Sequence, residues 1–222
     1  MPLNRVIISQ RITSILGELS RLTSTLYAMN MADIQKYPEN YELLSTDAAL
    51  RAEQIACRLR HLVYSTTSTF KAEYLSSAST LLGIDIRCEN SILEITLPSL
   101  LPKKMQHQSS EFLLDPLYNA LSQYAEHHDL PRYHHCVVCF SHIYCRDLPD
   151  RRVRDYDNLE LKRFLDLVAS FVLIDDSGLL CDAYNSTELG GTDCTRISIM
   201  DSAQFSDWLE KREKALKSIS DF

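Results

Sequence analysis

The sequence predicts an α+β protein: an antiparallel helical hairpin over residues 1–83, then a mixed sheet with flanking helices over residues 84–222. Three observations predict it. Apolar residues recur at helical spacing through the first 82 positions, and from Ile84 the pattern changes to short β-branched runs. The chain also has only five glycines in 222 residues, which favours long helices over a loop-rich β protein.

Ile8, Ile12, Ile15, Leu19, Leu22 and Leu26 alternate steps of four and three, a heptad seam that predicts a helix to about Met31. Lys36 to Asn40 reads as a connector, because Pro38 disfavours helix at Tyr37. Ser45 or Thr46 offers an N-cap to a second helix, with Ala48, Ala52, Ile55, Leu59 and Leu62 on its seam. That helix continues or restarts through the Ser/Thr-rich 65–69 segment to about Leu82, where Gly83 can end it. The seam either packs on the hairpin and the rest of the chain, or forms a dimer interface or a site for a partner protein.

Ile84–Ile86 and Ile92–Leu97 predict two strands around Glu89-Asn90-Ser91. A helix is expected from about 111 to 127, a strong strand from Tyr133 to Cys145, a charged loop over 146–154 and a helix from Asn158 to Phe171. Leu179–Leu189 and Thr192–Met200 read as a β-hairpin around Gly190-Gly191, a pair suited to positive φ. A last helix is expected from about Ser202 to Lys217, with Phe205, Trp208 and Leu209 on its inner face.

The opening MPLNRVIISQR lacks the basic start and apolar run of a secretory signal, and no stretch approaches the roughly 18 apolar residues of a membrane span. A cytoplasmic location and no membrane partner are therefore expected, with the seven cysteines reduced. Net charge is −7. Residues 1–85 balance at 8 basic and 8 acidic groups, whereas residues 86–200 carry 11 basic against 17 acidic. That acidic excess fits carboxylates awaiting a cation, or a surface that avoids nucleic acid, whose ligands normally meet a basic footprint.

Chemistry concentrates at Asp155-Tyr156-Asp157-Asn158, followed by Lys162 and Asp166 and then by Asp175-Asp176. Asp155 and Asp157 lie two apart and can point the same way. Converging carboxylate oxygens suit a hard divalent cation, and with a nearby lysine they suit phosphodiester cleavage. Asp157 also stands where a helix N-cap belongs, which is the plainer role for it alone. Arg151, Arg152 and Arg154 supply a basic strip that either contacts DNA phosphates or is a solvated loop.

Residues of about 91–200 resemble the RusA-type Holliday-junction resolvases. The resemblance rests on a D-x-D-N-x-x-K-x-x-x-D motif and a following D-D pair, read here as Asp155, Asp157, Asn158, Lys162, Asp166, Asp175 and Asp176. Lys162 stands five residues after Asp157, one more than in the family pattern. The resemblance implies a RusA-like fold in which Asp155, Asp157 and Asp176 hold Mg²⁺ or Mn²⁺ and Lys162 assists at the scissile phosphate. Asp175 is then an outer or alternative ligand, and the active form is a homodimer cutting branched DNA. The alternative is a non-catalytic interaction protein on the same fold, working through its helical hairpin.

His127, His128, His134, His135, Cys136, Cys139, His142 and Cys145 form a second cluster. Val137-Val138 places it on a strand, where Cys136 and Cys139 face opposite sides, so a buried strand is expected in place of a zinc site. No glycine-rich phosphate loop or nucleophile elbow occurs.

Overall fold

The computed structural model describes residues 5–66, 71–104, 107–148, 153–175 and 177–220. Its elements are α1 (Arg5–Met31), α2 (Pro38–Thr66), α3 (Lys71–Leu82), β1 (Asp85–Glu89), β2 (Ile92–Leu97), α4 (His107–His127), β3 (Cys136–Cys145), α5 (Leu161–Val172), β4 (Cys181–Gly190), β5 (Cys194–Asp201) and α6 (Phe205–Ser220). The α+β class is as expected. The chain divides into a helical unit, residues 1–77 with 106–115, and a sheet unit, residues 78–105 with 116–222.

In the helical unit α1 packs antiparallel on α2. The connector is shorter than expected, because Pro38 opens α2 itself: a first helical residue needs no N–H, and its fixed φ is already helical. Asp33 shapes the link by accepting from the amides of Gln35 and Lys36 at 3.0 and 3.1 Å. Ser45 consequently lies inside the helix, bonded to the Glu42 carbonyl. Polar latches record the antiparallel register. Arg58 Nη1 donates to Ser14 at 3.1 Å, Arg51 Nη1 to Glu18 at 3.2 Å and Thr25 to Asp47 at 3.0 Å.

Arg60, only 3% exposed, fastens α2 to the first turns of α4. Its Nη1 and Nη2 donate to the carbonyls of Glu111 and Phe112 at 3.1 and 3.2 Å, and its guanidinium stands 5.4 Å from the Phe112 ring centre. Pro116 lies inside α4 four residues after Phe112 and has no N–H to give that carbonyl, so Arg60 supplies the missing donor.

The sheet order is β1-β2-β5-β3-β4, antiparallel except for the parallel β3–β4 pair. Asn90 and Ser91 both take positive φ, 51° and 59°, as a two-residue turn between right-twisted strands requires. β3 is buried along nearly its whole length. One face carries Val137 and Cys139, joined by Met200 of β5 and covered by Phe205 and Trp208 of α6. In α4 and α5, Leu117, Leu121, Phe164, Val168 and Val172 are completely buried, and Tyr118 meets Phe171 at 5.3 Å between ring centres.

The expected hairpin of β4 with β5 is not formed. Both strands pair with β3, one on each side, and their short link arches over the end of β3. The arch is bonded down: Arg146 N donates to Gly190 O at 3.0 Å, and Cys145 N to Asp193 Oδ1 at 2.7 Å. Apolar β3 needs two partners, while polar CDAYNSTELG tolerates the sheet edge, so inserting β3 buries more apolar surface than a hairpin would. Gly190 is required by close approach, since a Cβ there would lie 2.6 Å from Ile143 Cγ2.

The helix expected from Asn158 begins instead at Leu161, after a 3₁₀ turn over Tyr156–Asn158. Residues 158–160 are kept out of the helix because they pair with 102–104: Lys104 N donates to Asn158 O at 3.1 Å and Glu160 N to Pro102 O at 2.9 Å. Asp157 is therefore no N-cap. Glu160 takes that position without a side-chain capping bond.

Two substitutions test this packing. Gly190→Ala is expected to lower unfolding free energy by about 2 kcal/mol in urea melts, because the Ile143 side chain must be displaced. Arg60→Met is expected to cost a similar amount, about 2 kcal/mol, through orphaned carbonyls. The loss is expected to shrink in a Pro116→Ala background, where residue 116 regains a donor for Phe112. Equal losses in both backgrounds refute the pairing.

Candidate metal centre

The Asp155–Asn158 turn is built by anchoring Tyr156 and leaving its neighbours in solvent. The Tyr156 hydroxyl bonds Thr187 of β4 at 3.0 Å, and its ring centre lies 5.5 Å from that of His142 on β3. Upstream, Arg154 N donates to the Tyr144 hydroxyl at 3.1 Å and Arg154 Nη1 reaches Leu101 O at 3.5 Å. Downstream, fully buried Leu159 bridges to Lys103. Asp155, Asp157 and Asn158 are exposed between these anchors, near the Cys145 end of β3.

Lys162 is also exposed, on the first turn of α5, and its Nζ pairs with Asp166 Oδ1 at 2.9 Å, one helical turn on. Arg154 serves the backbone of residue 101 as described, so one expected phosphate contact is at least partly a structural bond. Arg151, Arg152 and Asp176 lie outside the described residues.

Asp175 is placed elsewhere. Leu173 bridges in parallel to Tyr133, and Ile174 N donates to Tyr133 O at 3.3 Å, which sets Asp175 beside the start of β3. Its Oδ1 accepts from Ser177 N at 3.1 Å. The 12-residue helix α5 stands between Asp157 and Asp175 and rises about 18 Å. Ligands of one divalent cation lie within about 2.6 Å of it. Asp155 and Asp157 thus share a turn, whereas Asp175 sits at the opposite end of α5 and β3. Among the described residues, no three His, Cys, Asp or Glu side chains form a metal-holding group. That includes the described members of the His/Cys cluster. Cys136 and Cys139 are buried in β3, and burial pushes each thiol up to about 12.

Sequence reasoning missed Lys103 and Lys104, exposed on the strip that pairs with 158–160 and hence beside the aspartate turn. Their adjacency after Pro102 is a signal, but their pairing partner lies some 55 residues away. A helix over 158–171 does carry, by its length alone, the implication that Asp157 and Asp175 stand apart.

With this geometry in view, comparison with known proteins adds one result. Residues 4–222 match the model of a family of unknown function, DUF6100. The chain belongs to that family. No curated protein and no solved structure matches it. The DUF6100 match runs through both units, so the helical hairpin belongs to the family as much as the sheet does. No helix among the described residues is long and apolar enough to cross a membrane.

Beneath Tyr156, His142 is fully buried, with Nε2 3.5 Å from Asn185 Oδ1 and, among the described residues, no hydrogen-bond partner on Nδ1. Burial holds its pKa below the ordinary value, with the Asn185 contact opposing. The folded chain therefore keeps His142 neutral at a pH where the unfolded chain, with a histidine pKa of about 6.5, takes up a proton. Its stabilising effect is full above about pH 6.5 and is lost as pH falls below, with a slope of at most about 1.4 kcal/mol per pH unit. Urea melts at successive pH values are expected to show this acid-side slope in the wild type and a shallower one in His142→Gln.

Proposed function

We propose that this chain is a non-catalytic interaction protein that pairs with a second copy of itself through α1. The observation that carries this reading is a second apolar stripe on α1. The heptad seam divides in two. Ile8, Ile15, Leu22 and Met29 are at least half-buried on the side shared with Glu18 and Thr25, whose side chains latch to α2. Ile12, Leu16, Leu19 and Leu26 are centred about 65° further round the helix and are 44%, 59%, 39% and 50% exposed. A contiguous apolar stripe in water is the usual mark of an interaction site.

Its layout suits a copy of itself. Antiparallel pairing of two α1 helices about Leu19 sets Ile12 against Leu26 and Leu16 level with Leu22, a self-complementary arrangement. The same pairing brings the basic end of one hairpin, with Arg5, Arg11 and Arg58, towards the acidic loop end of the other, with Asp33, Glu39 and Glu42.

A binding role is favoured over junction cleavage by the placement of the acids. Asp155 and Asp157 lie at one end of α5 and Asp175 at the other, and Lys162 is paired with Asp166. The resolvase reading needs Asp155, Asp157 and Asp176 around one Mg²⁺ with Lys162 beside it.

Sedimentation equilibrium is expected to show a dimer. Leu16→Glu and Leu19→Glu are each expected to weaken it about tenfold or more, with circular dichroism unchanged. A chain that stays monomeric at sub-millimolar concentration refutes the self-pairing. A labelled four-way junction incubated with Mg²⁺ or Mn²⁺ is expected to remain uncut; metal-dependent cleavage abolished by Asp157→Asn restores the nuclease reading.

A further inference from the structure

The helical unit holds a cavity of about 540 Å³ lined by Arg11, Ser14 and Ile15 of α1 and by Arg58, His61 and Tyr64 of α2. That volume falls within the range of small-molecule sites, about 300–1,000 Å³. Ile15 is 4% exposed and makes an apolar floor. His61 and Tyr64 stand with ring centres 6.1 Å apart and planes inclined at 42°, and the Tyr64 ring is steadied by an edge contact with Tyr74. Arg11 projects from one helix and Arg58 from the other, where Arg58 already reaches across to Ser14.

The charge around this cavity is one-sided for a reason visible in the chain. Residues 5–17 of α1 and 54–66 of α2 lie together in the antiparallel pair and contain no aspartate or glutamate. The hairpin's carboxylates all fall in its other half, where Glu18 and Asp47 are engaged by Arg51. The carboxylate that reaches the Tyr64 hydroxyl is Asp115 of α4, at 3.3 Å, and it also stands 3.7 Å from buried Arg60. A protein of net charge −7 thus keeps a cavity with two guanidinium groups, two aromatic rings and an apolar floor.

We propose that this cavity binds a mononucleotide, with Arg11 and Arg58 on its phosphate and the planar base against His61 and Tyr64 over Ile15. Guanidinium groups supplied by two different helices suit a tetrahedral phosphate, whose oxygens accept from both; a planar carboxylate is satisfied by a single fork. Aromatic faces accept a flat heterocycle of any sequence identity. The site is separate from the aspartate turn, but Arg11 and Arg58 also belong to the basic end used in the self-pairing; Leu16→Glu, which weakens the pairing and leaves both arginines in place, is expected to keep nucleotide binding.

The test is calorimetric titration of the full chain with AMP, ADP, ATP and pyrophosphate at fixed ionic strength without added metal. Saturable binding of a nucleotide is expected, weaker for pyrophosphate, which lacks the planar body, and weakening as salt rises. Arg11→Gln and Arg58→Gln are each expected to reduce affinity about tenfold or more, with melting curves like the wild type. Arg11→Gln leaves the Arg58–Ser14 latch intact, so it keeps the test decisive should Arg58→Gln unfold the hairpin. Absence of saturable nucleotide binding overturns the proposal. So does undiminished binding by a folded arginine variant, or binding confined to single-stranded oligonucleotides.

Discussion

A ten-residue strand buried on both faces must be covered on both faces and paired on both edges, and β3 imposes this on the sheet unit. Its sequence, CVVCFSHIYC, has almost no side chain that prefers water, so a place at the sheet edge or on a solvated face would expose large apolar area. Placing β4 and β5 on either side meets the edge requirement, at the cost of an arch across the end of β3. The arch dictates the glycine at 190 and the Asp193 carboxylate on the Cys145 amide. Face coverage brings in Phe205 and Trp208 from α6, while Tyr156 settles over His142. The candidate metal turn is where it is because Tyr156 is anchored to β3 and β4, and the aspartates on either side follow it into solvent.

The helical unit obeys a different rule. α1 is apolar over an arc wider than one neighbour can cover, so packing against α2 buries Ile15 and leaves Ile12, Leu16, Leu19 and Leu26 outside. Along the hairpin, charge is segregated lengthwise. Carboxylates collect towards the loop and arginines towards the open end, which is why one end can hold an anion in a chain that is acidic as a whole. Arg60 shows how closely sequence irregularities are matched: the donor that Pro116 withholds from Phe112 comes from a side chain 52 residues earlier. That match turns a local defect in α4 into a tether for α2.

Several features were legible because they depend only on near neighbours in the chain. The helices α1, α4, α5 and α6, the β1–β2 turn at Asn90-Ser91 and strand β3 follow from periodicity and turn chemistry. The exposed pair Asp155 and Asp157 follows from spacing. What failed has a common origin. A short Gly190-Gly191 link between two strands predicts a hairpin, and nothing local reveals a third strand between them. The start of α5 shifts to Leu161 because residues 102–104 pair with 158–160 and keep them out of the helix. Lys103 and Lys104 come beside the aspartate turn through the same pairing.

By itself the sequence determined the α+β class, the order of helices and strands, the lengthwise division of charge in the hairpin, and the length of α5 that separates Asp157 from Asp175. Each of these is set by interactions between residues a few positions apart, or by simple counting. Only the tertiary structure decided which half of the α1 seam is covered, where β3 inserts, what shares the aspartate turn, and that Arg11, Arg58, His61 and Tyr64 line one open pocket. Those outcomes depend on contacts between distant segments competing for the same buried surface, and the winner is chosen by the total apolar area removed from water, which no local window contains.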